Sequence, residues 1–153
     1  MSQTGIVLLV EDNLDDVDLT IRAFQKNKIC NQIVIVRDGQ EALDCFFAAC
    51  ADGGRDPAIM PAIVLLDLKL PKVDGIEVLR RLRADKRTRR LPVVVLTSSN
   101  EEHDIIASYD LGANSFLRKP ITFPELVKAV GVLGLYWLIM NEPPPLPLDP
   151  EAC

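Results

Sequence analysis

The chain has a single histidine, His103, and its four cysteines, Cys30, Cys45, Cys50 and Cys153, include no CxxC pair. Zinc-type ligand spacing is therefore absent, and His103 reads as a solvated side chain in a polar stretch. There is no basic stripe. Lys and Arg number 17 against 22 Asp and Glu, a formal charge of −5, so no nucleic-acid partner is expected. Glycine-rich phosphate cradles are missing too. The first apolar run is followed by Glu11-Asp12-Asn13, where a P-loop or a G-x-G-x-x-G turn needs glycine. Acids there repel phosphate unless a metal intervenes. No basic-then-apolar leader opens the chain, which predicts a cytoplasmic protein with free thiols. No apolar run approaches the roughly 20 residues that cross a bilayer, and no membrane partner is expected.

What the chain does have is alternation. Its 153 residues, 48% of them hydrophobic, suit one domain over residues 1–140, followed by a proline-rich, extended tail over 141–153. Ile63-Val64-Leu65-Leu66 is an apolar run ending on Asp67, with Pro61 before it and Leu70-Pro71 and Asp74-Gly75 after it. Such a run, bounded by turn residues, reads as a strand buried on both faces in the middle of a parallel sheet. Ile6-Val7-Leu8-Leu9-Val10 repeats the pattern and ends on Glu11-Asp12. Ile33–Val36, Val93–Leu96 and Ser115–Arg118 supply three more strands.

Helices are predicted between the strands. Asn13 caps the first, with Val17, Ile21 and Phe24 on its inner face. Ala42, Leu43, Phe46 and Phe47 mark the second. In the third, Ile76, Leu79 and Leu82 face inward and Arg80, Arg81 and Arg83 face water. Ser99 and Glu102 have capping-box spacing ahead of a fourth helix carrying Ile105, Ile106, Tyr109 and Leu111. Thr122 and Glu125 form a second capping box, with Pro124 in the first turn, ahead of a fifth helix running to about Met140. Five strand–helix repeats predict an α/β fold. The expected form is a flavodoxin-like, doubly wound, five-stranded parallel sheet of order 2-1-3-4-5 with helices on both faces.

Ligands in such sheets bind beyond the carboxyl ends of the strands. In the predicted order Glu11-Asp12 and Asp67 end neighbouring strands, Thr97 ends the fourth and Lys119 follows the fifth. Three clustered carboxylates raise one another's pKa values unless a cation sits among them. Mg²⁺ takes such oxygens together with water and phosphate oxygens. Lys119 suits a phosphoryl oxygen as a point charge, and the Thr97 hydroxyl can donate to another. Asp67 is then free to attack phosphorus and form an aspartyl phosphate.

This set resembles the receiver domain of two-component response regulators. Leu9-Val10-Glu11-Asp12 is similar to the family's acidic pair, and Leu66-Asp67-Leu68 with Pro71 and Asp74-Gly75 to its phosphoacceptor loop. Leu96-Thr97-Ser98 and Leu117-Arg118-Lys119-Pro120 are similar to its remaining two motifs. The resemblance runs from about Gly5 to Leu133. It implies that Asp67 accepts phosphate from the phosphohistidine of a sensor histidine kinase. It implies Mg²⁺ held by Asp12, Asp67 and the backbone carbonyl of Lys69, with Glu11 acting mainly through water. It further implies a switch made of Thr97 and Phe116, where the family most often carries Tyr at the second position. Such a protein is a signalling phosphoacceptor that catalyses only its own Mg²⁺-dependent phosphorylation and dephosphorylation. A phosphohydrolase of the haloacid-dehalogenase type also uses a strand-end aspartate, but it needs a second acid two residues on, where this chain has Lys69.

The stretch Asp104–Asn114, the long loop before Pro61 and the ending Tyr136-Trp137-Leu138 are similar to the single-domain regulators that partner bacterial phytochromes. That likeness implies a phytochrome-type kinase and a homodimer through the fourth helix, fifth strand and fifth helix. The tail is too short to be an output domain, so no DNA-binding output is expected. The residues give the dimer a separate reason. From Ala129 to Met140 no residue is charged. Leu126, Val130, Leu133 and Trp137 supply the stripe that packs on a sheet, which leaves Leu135, Tyr136, Leu138 and Ile139 to meet another protein surface.

Overall fold

In the computed structural model, residues 5–51, 60–99, 101–119, 122–142 and 144 are described. The loop Asp52-Gly53-Gly54, Pro120 and most of the proline-rich ending lie outside them. The strands are β1 (Val7–Val10), β2 (Ile33–Val36), β3 (Ile63–Leu66), β4 (Val93–Thr97) and β5 (Ser115–Arg118). Between and after them run α1 (Leu14–Lys26), α2 (Gly39–Ala51), α3 (Gly75–Ala84), α4 (Glu102–Asp110) and α5 (Phe123–Gly134). All strand pairs are parallel, in the order β2-β1-β3-β4-β5. This is the expected topology, and the order in which strands join the sheet reverses between β1 and β3.

Alternation along each strand sends side chains to two separate cores. Leu8, Val10, Val64, Leu66, Val93 and Val95 pack with Leu43, Phe46, Val78, Leu79 and Leu82 of α2 and α3. Val7, Leu9, Ile63, Leu65, Val94 and Leu96 pack with Val17, Phe24, Leu126 and Val130 of α1 and α5. Continuous valine and leucine runs are what a strand covered on both faces requires.

Caps set where the helices begin. The Asn13 side chain accepts from the backbone N–H groups of Asp15 and Asp16 at the start of α1. Asp74 does the same for Glu77 in α3, and Thr122 and Glu125 form the expected reciprocal box at α5. The α4 start differs from expectation. Glu101 stands at the cap position without a side-chain capping bond, and Ser99 lies in the preceding loop with its hydroxyl on Asp104. The carboxylate partner at Asp104 draws Ser99 away from a capping role.

Three further features concern packing. Arg83 is half-buried, unlike the exposed Arg80 and Arg81. Its guanidinium donates to the carbonyls of Leu111, Arg89 and Gly112, tying the end of α3 to the turns after α3 and α4. Ile106 and Tyr109 of α4 point outward, while Ser108 is buried and bonds back to the Asp104 carbonyl. After Gly134 the helix continues as a wider π-helical segment, Leu135–Met140, which shifts the phase of its side chains. Leu138 therefore turns inward and packs with the α1–α5 core beside Gly5, instead of joining Leu135, Tyr136 and Ile139 at the surface.

With that extension the helical stretch Phe123–Met140 is 18 residues, apolar and long enough by length and composition to cross a membrane, more than its charge-free part predicted. Leu126, Val130 and Gly134 are nevertheless buried. Gly131 faces Asn27 and Gly134 faces Ile29, so closely that α1 and α5 meet where neither glycine carries a side chain.

Candidate functional site

The carboxyl edge of the sheet gathers the residues that the strand ends supply. Asp67 is drawn up beside β1 by its backbone N–H, which donates to the Val10 carbonyl at 3.0 Å. Glu11 is anchored the same way to Val36 of β2, at 3.0 Å. Lys119 is tied to β4 through its N–H and the Thr97 carbonyl at 2.7 Å. Sheet hydrogen bonds thus fix where the backbone of each of these three residues sits.

An open cleft of about 780 Å³ lies above these ends, lined by Glu11, Asp12, Asp16, Asp67, Lys69 and Lys119 among others. Glu11 and Asp67 are buried while Asp12 is exposed. Each of the three offers a carboxylate oxygen, and those oxygens all lie within 4.8 Å of one another. Lys119 Nζ stands 2.5 Å from Glu11 Oε1, 2.8 Å from Asp16 Oδ2 and 3.5 Å from Asp67 Oδ2. The Lys69 N–H donates to Asp67 Oδ1 at 3.1 Å.

Charge does not balance with the protein's own groups alone. Burial pushes the Glu11 carboxyl up to about 7; Lys119 opposes that rise and neighbouring Asp67 adds to it. Burial alone would lower the Lys119 ammonium, but its bonds to Asp16 and Glu11 prevail and hold it above the ordinary lysine value. The cleft lining carries five carboxylates, Glu11, Asp12, Asp15, Asp16 and Asp67, against the three cations Arg37, Lys69 and Lys119, which leaves negative charge in excess. An all-oxygen trio with one open, exposed member is a donor set that fits a hard divalent ion retaining some of its water.

Thr97 is placed differently from the other predicted site residues. Its side chain is buried, and its Oγ accepts from the Ser99 N–H at 3.3 Å. The neighbouring Ser98 lines the cleft instead. Phe116, opposite Val95 in the β4–β5 register, packs half-buried against the α2–α3 core. Lys69 is exposed, with Nζ 3.8 Å from Asp104 Oδ2, so no second acid follows Asp67 in the position a phosphohydrolase would use. Asp16 was not foreseen as part of the site. Its place in the first turn of α1 reads as a helix-dipole acid, and only the fold brings Lys119 to it.

Comparison with known proteins agrees with this geometry. Residues 7–131 match the family model for the response regulator receiver domain. The chain is 43% identical over 139 residues to the probable methanogenesis regulatory protein FilR2 of Methanothrix harundinacea (strain 6Ac), covering 91% of this chain and 87% of that one. It is 38% identical over 133 residues to the response regulator Rcp1 of Synechocystis sp., covering 87% and 88%. Among solved structures, the phosphorylated cyanobacterial phytochrome response regulator RcpA superposes with a TM-score of 0.81 at 37% identity, over 93% of this chain and 99% of that one. The Mn(2+)-bound form of Rcp1 gives 0.79 at 36% identity, over 92% and 99%. The bacteriophytochrome response regulator AtBRR gives 0.69 at 47% identity, over 91% and 99%.

Proposed function

The chain belongs to the response-regulator receiver family and is a phosphoacceptor in two-component signalling, and on that premise we propose that Asp67 is the residue phosphorylated. The observation that carries this reading is the placement of Asp67. It is a buried carboxylate at the central strand end, open to the cleft, beside an acidic pair on one side and an ammonium on the other.

The chemistry follows from that placement. An Asp67 carboxylate oxygen attacks the phosphorus of a phosphohistidine. The O–P bond forms as the N–P bond breaks, and the electron pair returns to the imidazole nitrogen. Lys119 neutralises a phosphoryl oxygen, and the Thr97 hydroxyl swings from the Ser99 N–H to hydrogen-bond another. Phe116 follows it inward. Asp12 and Asp67, with the Lys69 carbonyl, are the residues that would hold Mg²⁺, and Glu11 would act through water. The bound ion supplies positive charge against the incoming phosphoryl oxygens, which phosphoryl transfer requires. At the same site water attacks the phosphorus of the aspartyl phosphate; the new O–P bond forms as the bond to Asp67 breaks, releasing inorganic phosphate and the free carboxylate. The Mn(2+)-bound state of Rcp1 and the clustered carboxylates here support a divalent ion.

The donor is a sensor histidine kinase of the phytochrome type. RcpA and AtBRR are phytochrome and bacteriophytochrome response regulators by name, and the sequence likeness spans nearly their whole length. The receiver unit extends to Met140, and two copies pair through α4, β5 and α5 with its π-helical continuation, where Leu135, Tyr136 and Ile139 are exposed.

Incubation with acetyl phosphate and Mg²⁺ followed by intact mass tests the reading. Wild type gains one phosphoryl group and Asp67→Asn gains none while keeping its fold. An acid-stable gain on Asp67→Asn comparable with wild type contradicts it.

A further inference from the structure

An ammonium has three hydrogen-bond donors, and in Lys119 all three are met by carboxylates. Asp16 Oδ2, at 2.8 Å, is closer to Nζ than Asp67 Oδ2 at 3.5 Å. Asp16 is not one of the carboxylates that converge on the divalent-ion position. It is held rigidly in the first turn of α1. Its N–H donates to Asn13 Oδ1 at 3.1 Å, and its carbonyl accepts from the Thr20 hydroxyl at 2.7 Å. Its side chain faces both the main cleft and a small adjoining cavity of about 120 Å³ beside Leu96 and Phe123.

The Asp67 bond, at 3.5 Å, is the longest of the three, and a phosphoryl group on Asp67 needs the ammonium closer, so Glu11 or Asp16 has to release a donor. Glu11 is poorly suited, because its side chain is 3% exposed and an unpaired buried carboxylate is costly. The Asp16 side chain is 33% exposed, so water can replace the lysine there. We propose that Asp16 is a positioning residue that holds Lys119 back from Asp67 in the unphosphorylated protein and surrenders it when the phosphoryl group arrives. The inference rests on the reading of Asp67 as phosphoacceptor and Lys119 as phosphate contact. It predicts that Asp16 opposes phosphorylation twice, by sequestering the ammonium and by adding negative charge against the donor.

The test measures labelling rate against acetyl phosphate concentration, with Mg²⁺, for wild type and three variants. Asp16→Asn keeps both backbone bonds and loses the charge. Its KM for acetyl phosphate falls roughly threefold or more, the scale of one unit charge met at several ångströms in high dielectric, with little change in the limiting rate. Asp15→Asn makes the same charge change on the same helical turn, without a carboxylate on Lys119, and stays close to wild type. Asp16→Glu, which retains a carboxylate able to reach Lys119, restores wild-type KM. Equal effects of Asp16→Asn and Asp15→Asn reduce Asp16 to bulk charge and overturn the proposal, as does a raised KM in Asp16→Asn. Should Asp16→Asn melt early, Asp16→Glu decides alone, since a lowered KM in it is incompatible with a holding role. Wild type that takes no label, or Asp67→Asn that does, is instead a failure of the phosphoacceptor assignment.

Discussion

A Cβ on Gly75 would lie 2.3 Å from the Asp67 carbonyl oxygen and 2.6 Å from the Leu68 Cα. The first residue of α3 is thus seated directly against the peptide unit of the proposed phosphoacceptor, and its N–H donates to the Leu68 carbonyl at 2.9 Å. Both obstructing atoms are backbone, so no side chain can rotate away. Gly75→Ala has to push α3 or the Asp67 loop aside, at a cost of about 2 kcal/mol by analogy with overpacked cores. The expected outcome is a lowered thermal midpoint together with slower acetyl phosphate labelling, since the displaced atoms belong to Asp67 itself. A variant with the wild-type midpoint and rate would show that the α3 start moves freely.

Asp12 and Lys119 separate metal binding from phosphate contact. Asp12 is the exposed member of the carboxylate trio. Asp12→Ala is expected to weaken Mg²⁺ at least about tenfold, the lower end of what even an outer-shell partner contributes, and to slow labelling. Lys119→Ala removes a cation lying among Glu11, Asp16 and Asp67. It should keep or tighten Mg²⁺ binding while blocking the Thr97–Phe116 switch. Calorimetric titration with Mg²⁺ checks both halves, and unchanged affinity in Asp12→Ala removes that residue from the ligand set.

The strand ends were legible in the sequence because parallel strands covered on both faces are written as unbroken apolar runs, and the residue that stops each run marks the functional edge. Glu11, Asp67 and Thr97 could be placed in this way, whereas Lys119 follows the short mixed strand Ser115–Arg118. What could not be read were partners distant in the chain. Arg83 looks like its solvated neighbours Arg80 and Arg81 until α4 ends beside it and offers the Leu111 and Gly112 carbonyls. Asp16 looks like a helix-dipole acid until β5 delivers Lys119. Leu138 falls on the outer face of a regular α-helix, and a π-helical turn has no periodicity signal in the sequence that would have rotated it inward.

Asp85 predicts a pH dependence of stability away from the site. The Arg87 guanidinium bonds both of its oxygens, at 3.1 and 3.0 Å, and the same guanidinium lies 5.3 Å from the Phe47 ring centroid. The hydrogen bond from the Arg87 side chain holds the Asp85 carboxyl below its usual range. A carboxylate whose folded pKa is depressed contributes stability above its unfolded pKa, and loses it as pH falls through the folded one. Asp85→Asn should therefore cost about 1 kcal/mol at neutral pH, between the values typical of exposed pairs and of charge-assisted bonds. The gap between variant and wild type closes on acidification below the ordinary carboxylate range. Urea titrations at neutral and acidic pH measure it, and a gap that widens with acid has the wrong sign.

The homodimer is tested by contrasting residues that the π-helical turn sorts to opposite sides. Leu135 is 53% exposed and Ile139 74% exposed, with Tyr136 and Met140 also at the surface, while α4 leaves Ile106 and Tyr109 outward. Leu138, one position from Ile139, packs with the α1–α5 core against Gly5 and Gly134. Apolar surface of this kind favours association because burying it removes it from water at about 25 cal/mol per Å². Leu135→Glu and Ile139→Glu place a charge in the proposed interface but in water in the monomer, so each should yield a folded monomer with nearly unchanged stability. Leu138→Glu puts the charge into the core and should lower the thermal midpoint before it affects association. Sedimentation equilibrium on wild type, without phosphorylation, is expected to show a dimer at micromolar concentration. A wild-type monomer at ~100 µM rules the pairing out, because it implies an association weaker than about −5.5 kcal/mol. Dissociation by Leu138→Glu at full stability, with Ile139→Glu still dimeric, would place the interface on the other side of the helix.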